Sequence, residues 1–156
     1  MKFAIFPNQS YIDLGLYQFG RERCEAGHSF GPAKRNHYLF HYIISGTGTL
    51  FSDNSKGNTD TWHINSGEGF FIFPEQTNTY VADMKNPWEY VWLEFDGLRV
   101  KQALEIAGFS KDMPIYRIKS RELSEKMKNL LFELKGFITG FIFGALSLIV
   151  VEIIYF

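Results

Sequence analysis

The sequence predicts a mainly β protein, a jelly roll or small barrel with helices behind it. Three observations carry this. Between His37 and Phe95 apolar residues alternate with polar or aromatic ones at period two. The alternating segments are short, recur about every ten residues and are separated by glycine-bearing turns, as in jelly rolls and barrels rather than βαβ folds. After Gly97 the alternation stops and apolar residues fall at helical spacing.

The 156 residues, 46% hydrophobic, suffice for one packed core with an appendage, since a chain of this size buries roughly 70% of its unfolded surface. Sixteen Phe, eight Tyr and three Trp can fill a β core or stack on sugar and base faces, so a binding pocket and a tightly packed interior are both open readings. The net charge of −1 and the lack of any Lys/Arg block give no nucleic-acid surface. The single cysteine, Cys24, forms no internal disulfide framework and fits a reducing compartment. The start, Met1 to Pro7, has one charge and a broken apolar run, too little for a secretory signal. A cytoplasmic location is expected.

In chain order, residues 1–15 read as a lead-in with a turn at Pro7 to Ser10, and Leu14 to Phe19 as a first strand. Gly20 to Asn36, with charges among Gly27, Gly31 and Pro32, reads as a partly extended arm. Cys24 and His28 lie four apart in it, with neither helical periodicity nor a clustered partner, so no metal site is assigned there. His37 to Ile44 is a strand that places His37, Leu39, His41 and Ile43 on one face and Tyr38, Phe40, Tyr42 and Ile44 on the other. Both faces are largely apolar, which requires cover on both sides. The strand runs through Ser45 to Gly48 and continues as Thr49 to Phe51.

Asp53 to Asn58 is dense in turn formers and joins this segment to Thr61–Asn65 as a hairpin. Ser66 to Gly69 turns into Phe70 to Phe73, which stops at Pro74 because proline lacks the ladder donor. Tyr80 to Ala82 follows a polar loop. Asn86 and Pro87 then turn the chain into Trp88 to Phe95, whose alternation sets Trp88, Tyr90, Trp92 and Glu94 on one face, expected to line the mouth of a cavity.

Val100, Ala103, Leu104 and Ala107 give a helix ended by Gly108, and Ile115 to Ile118 is extended. A second helix begins at Ser120 as N-cap, with Leu123, Met127, Leu130, Leu131 and Leu134 as its apolar stripe. Beyond Gly136 two readings compete. Gly136, Gly140 and Gly144 have the small-residue spacing of membrane helices, but sixteen uncharged residues before Glu152 fall short of the about 20 a span needs. The other reading packs Phe141 to Phe156, with Leu148 and Glu152, on the preceding stripe as a helical hairpin through which two subunits pair. Length and Glu152 favour the second, with no membrane contact.

Phe30-Gly31-Pro32, Arg35, His37 to Gly48, Ser66 to Pro74 and Asn86 to Gly97, in this order and spacing, resemble the N-terminal regulatory domain of AraC-family transcription factors over roughly residues 16 to 97. The resemblance implies a cupin-like jelly-roll β-barrel (1–96) that binds a small effector, often a sugar, followed by an α-helical dimerisation region (97–156) that makes a homodimer. It also implies a helix-turn-helix DNA-binding domain, for which these 156 residues hold no candidate; the sequence is thus expected to be part of a longer protein that meets DNA through a module absent here. In arabinose-responsive relatives Trp92 falls on a tryptophan that stacks on the sugar, Tyr90 on a polar aromatic and Tyr80 on a pocket tyrosine. Residues 1 to 15 depart from the arabinose-binding arm, which leaves the sugar unspecified. Glu94, Arg35, His37 or His41 can hydrogen-bond hydroxyls; for Arg35, pairing with a surface acid is an equal alternative.

No catalytic nucleophile, phosphate loop or carboxylate pair can be argued, so the expectation is a sensor without cofactor or enzymatic activity. The alternative is a stand-alone cupin enzyme or sugar-binding protein. Many cupins hold a metal through a His-x-His pair, but His37 and His41 are four apart, about 13 Å along a strand, too far to share one ion. The third histidine's position looks to be Asn78. His37 and His41 read instead as a polar residue at the mouth and a hydrogen-bonded core histidine.

Overall fold

A computed structural model describes residues 2–5 and 14–117. Ten strands, β1 (Lys2–Ile5), β2 (Gly15–Arg23), β3 (Ser29–Ala33), β4 (Tyr38–Ser45), β5 (Thr47–Asp53), β6 (Thr59–Asn65), β7 (Glu68–Ile72), β8 (Asn78–Ala82), β9 (Glu89–Asp96) and β10 (Ile115–Arg117), and one helix, α1 (Val100–Ile106), make up this part. They form two sheets with antiparallel pairing throughout, six strands in the order β1-β2-β9-β4-β7-β10 and four in the order β3-β8-β5-β6. The architecture is a sandwich of two antiparallel sheets.

Strand alternation divides the interior into two layers. Leu39 and Ile43 of β4, Phe70 and Ile72 of β7, and Tyr90 and Trp92 of β9 meet Leu50, Ile64, Tyr80 and Ala82 of the four-stranded sheet. The opposite parity, Tyr38, Phe40, Tyr42, Phe71, Val91, Leu93 and Phe95, forms a second core on the outer side of the six-stranded sheet, under Val100 and Leu104 of α1 and Tyr116 of β10. Both faces of β4 are therefore covered, as its all-apolar pattern requires. Gly108, at φ +85°, follows the C-cap of α1 and ends it where expected.

Three expectations change. The lead-in contains β1, which pairs with β2. The charged arm after Gly20 is the second half of β2 followed by β3. Its charges hid the strand: Arg21 and Arg23 lie on the outer side and pair with the buried Glu89 at 2.6 and 3.1 Å, whereas Gln18, Gly20 and Glu22 oppose Glu94, Trp92 and Tyr90. Finally, β4 does not continue into Thr49 to Phe51. At Gly46 (φ +75°) the chain leaves one sheet for the other, a conformation open to glycine, and a Cβ there would also collide with the Pro87 carbonyl.

The dimerisation residues proposed from sequence, Leu123, Met127, Leu130, Leu131, Leu134, Leu148 and Glu152, lie outside the described residues, as does the choice between hairpin and membrane segment. Among the described residues no helix is long and apolar enough to cross a membrane.

Candidate functional site

Between the sheets, toward the β2–β3 side, lies a cavity of about 300 Å³. Trp92, Tyr90, Tyr80, Arg35 and His41 line it, with Leu39, Phe30, Ser29, Gln18, Glu22 and His28. Each inner strand contributes by parity: β9 gives Tyr90 and Trp92, β4 gives Leu39 and His41, and β2 gives Gln18 and Glu22.

Trp92 reaches the cavity because Gly20 faces it across the strand pair. A Cβ at Gly20 would overlap the indole ring, so the glycine is the recess in which the ring lies. Tyr90 packs edge-on to Trp92 with centroids 5.9 Å apart. Opposite, Phe30 stacks on Tyr80 at 5.2 Å, and the Arg35 guanidinium sits 4.9 Å above the Phe30 ring.

The polar groups are held close to these rings. Arg35 lines the cavity and places one terminal nitrogen 3.6 Å from Glu94; the acid it meets is buried, not the surface acid of the alternative. Its Nε is buried without a hydrogen-bond partner among the described residues. The Tyr90 hydroxyl donates to Glu22 Oε2 at 3.2 Å. Burial pushes the Tyr80 phenol up to about 12, with Arg35 opposing the shift, and burial likewise raises Tyr90. Both phenols are neutral at ordinary pH.

His41 is enclosed by Phe70, Tyr80 and Tyr90, with ring centroids 4.6 to 4.9 Å away. Contrary to expectation, its Nδ1 finds no hydrogen-bond partner among the described residues. Burial first, and the Arg35 charge second, hold its pKa well below the usual histidine value. The folded protein therefore keeps a neutral imidazole while the unfolded chain binds a proton below about pH 6.5. Stability from this group is complete above that pH and is lost as pH falls, by at most about 1.4 kcal/mol per unit. Urea midpoints measured from about pH 7 down to 5 should fall, and His41→Gln should flatten that slope.

Three residues expected at the mouth do not line the cavity. Trp88 is wholly buried in the core beneath it, packed edge-on to Tyr90 at 5.9 Å and near Phe70 at 6.1 Å. Its parity matches Trp92, but Gly48 of the facing sheet leaves room only for the ring itself. Glu94 accepts a hydrogen bond from Gln18 and lies 3.4 Å from His37 Nδ1, so its carboxylate is engaged beside the cavity. His37 stacks on Tyr17 at 3.8 Å. Conversely, Gln18, Glu22, His28, Ser29 and Phe30 were missed. Their signal is pairing rather than pattern: Glu22 opposes Tyr90 and Phe30 opposes Tyr80.

The AraC-like ligand binding domain matches residues 15–139. The Msm operon regulatory protein of Streptococcus mutans serotype c (strain ATCC 700610 / UA159) is 31% identical over 121 residues, 77% of this chain and 41% of that protein. The raffinose operon transcriptional regulatory protein RafR of Pediococcus pentosaceus is 31% identical over 106 residues, 66% of this chain and 36% of that protein. The chain thus spans less than half the length of these relatives. Among solved structures, the Escherichia coli protein YhaK shares the fold, with a TM-score of 0.51 at 16% identity over 62% of this chain and 44% of that one. With a matched region covering most of its length and two operon regulators as relatives, the chain belongs to the AraC-like ligand-binding domain family.

Proposed function

We propose that this chain is the sensing part of a transcription regulator and that its effector is a carbohydrate bound between the sheets. The observation that carries this is the cavity itself. It sets an indole and phenol rings beside a guanidinium, a neutral imidazole and a carboxylate. Ring faces suit the C–H surfaces of a sugar, and this mixture of donors and acceptors suits hydroxyls, which both give and take hydrogen bonds. At about 300 Å³ the space is at the small end of ligand pockets, fitting one sugar ring, free or at the end of an oligosaccharide. The buried Nε of Arg35 and Nδ1 of His41 have no hydrogen-bond partner among the described residues, an unpaired buried polar atom costs about 1–3 kcal/mol, and a polar ligand can relieve that cost. The name of one relative, a raffinose operon regulator, supports a sugar effector as well.

In this reading two copies pair through the leucine-rich stripe from Leu123 to Leu134, and effector binding favours one arrangement of the pair, which a DNA-binding module elsewhere in the whole protein reports. Calorimetric titration with pentoses, hexoses and raffinose-type oligosaccharides tests the sensing step. One class should bind at one site per chain and raise the melting temperature with concentration. Heat from none of them, or turnover of a substrate by the metal-loaded protein, would overturn the reading in favour of a stand-alone cupin enzyme.

A further inference from the structure

We propose that Glu22, Cys24 and His28 form a binding site for one divalent transition-metal ion, of the Zn²⁺ type, at the rim of the cavity. One ligand atom from each, a carboxylate oxygen, the thiol sulfur and an imidazole nitrogen, can be chosen so that all three lie within 4.8 Å of one another. A tetrahedral ion with bonds of about 2.0–2.3 Å holds its ligands about 3.5 Å apart, so the site closes by small side-chain adjustments. Sulfur, nitrogen and oxygen together match the borderline softness of Zn²⁺ better than that of Mg²⁺ or Ca²⁺. The partner that sequence spacing lacked for Cys24 and His28 is Glu22, brought in by the register of β2.

The backbone fixes the three positions. Glu22 opposes Tyr90 across the β2–β9 pair. The Cys24 amide donates to the Trp88 carbonyl at 3.1 Å. The His28 amide donates to the Glu25 carbonyl at 3.1 Å, and the His28 carbonyl accepts from the Ala82 amide at 2.8 Å. The outer hydrogen bond a metal site requires is also in place. Tyr90 holds Glu22 Oε2, leaving Oε1, the oxygen 3.9 Å from His28 Nε2, turned toward the imidazole.

An ordinary reading would make Cys24 a core thiol and the Glu22–His28 contact a loose ion pair. That reading leaves unused the approach of a carboxylate side chain only 13% exposed, a buried thiol and an imidazole to within 4.8 Å of one another. Three protein ligands leave the fourth position of a tetrahedral ion open. Glu22 and His28 line the cavity, so water or a ligand oxygen held there can complete the shell. Binding replaces the proton on Cys24 Sγ with the metal, and that proton leaves to solvent.

Titration of the reduced, metal-free chain with Co²⁺ tests the site without reference to any sugar. One equivalent should produce a thiolate-to-cobalt charge-transfer band in the near ultraviolet, and Zn²⁺ should bleach it. Cys24→Ser should abolish the band. His28→Ala, at a side chain 39% exposed and so safe for folding, should weaken binding at least about tenfold, as should Glu22→Gln. Absence of a thiolate band in the wild-type chain, with or without cobalt bound elsewhere, would overturn the proposal, as would unchanged affinity in His28→Ala and Glu22→Gln. A sugar titration that fails leaves this result standing, and the reverse holds equally.

Discussion

Trp88→Ala is expected to cost about 3–5 kcal/mol of stability, the range for deleting a large aromatic side chain from a close-packed core. The indole is completely buried and surrounded by Phe70, Tyr80 and Tyr90, with centroids 5.9 to 6.4 Å away. The facing Gly48 lies directly against the ring and has no side chain with which to fill the space left behind. Urea unfolding should show a midpoint far below wild type at an unchanged slope. Gly48→Ala attacks the same packing from the other side and should cost about 1–3 kcal/mol by overpacking. A Trp88→Ala protein as stable as wild type would show that the ring is not a structural member, and would reopen its place in ligand binding.

Trp88 and Trp92 also show how far the sequence could be read. Period-two alternation gave both the same parity, and both turn to the inner core, Trp92 from within β9 and Trp88 from the residue just before it. It could not say that one would be core and the other cavity wall, because that depends on what the facing elements present. Gly48 lies against Trp88, and Gly20 of the neighbouring strand makes a recess for Trp92. Both glycines are far from these tryptophans in sequence and act only once the strands have paired.

The same limit explains β2. An apolar count fails on a strand whose inward residues are Gln18, Gly20 and Glu22 and whose outward arginines find a buried glutamate 66 or more positions away. By contrast β4, β7 and β9 were legible because both of their faces are apolar and each is bounded by glycine or proline. Helix α1 was legible because Val100 and Leu104 are one turn apart and Gly108 ends the pattern.

Trp92→Ala is expected to reduce affinity for the best-binding carbohydrate by about 2 kcal/mol, roughly thirtyfold, while the protein stays folded. The ring forms a wall of the cavity, so removing it enlarges a space that already exists rather than emptying a filled core, and the stability loss should be clearly smaller than for Trp88→Ala. Gly20→Ala separates the ring's presence from its position. It keeps the indole but fills the recess in which the indole lies, pushing the ring into the space a sugar would occupy. If stacking on a correctly placed ring drives recognition, both variants lose affinity, and Gly20→Ala does so with every cavity-lining side chain intact. Calorimetry on the two variants, beside their unfolding midpoints, decides the matter. Equal affinity in wild type and Trp92→Ala would mean that the ligand does not rest on this wall, and the polar side, Arg35 with His41 and Glu22, would have to account for recognition alone.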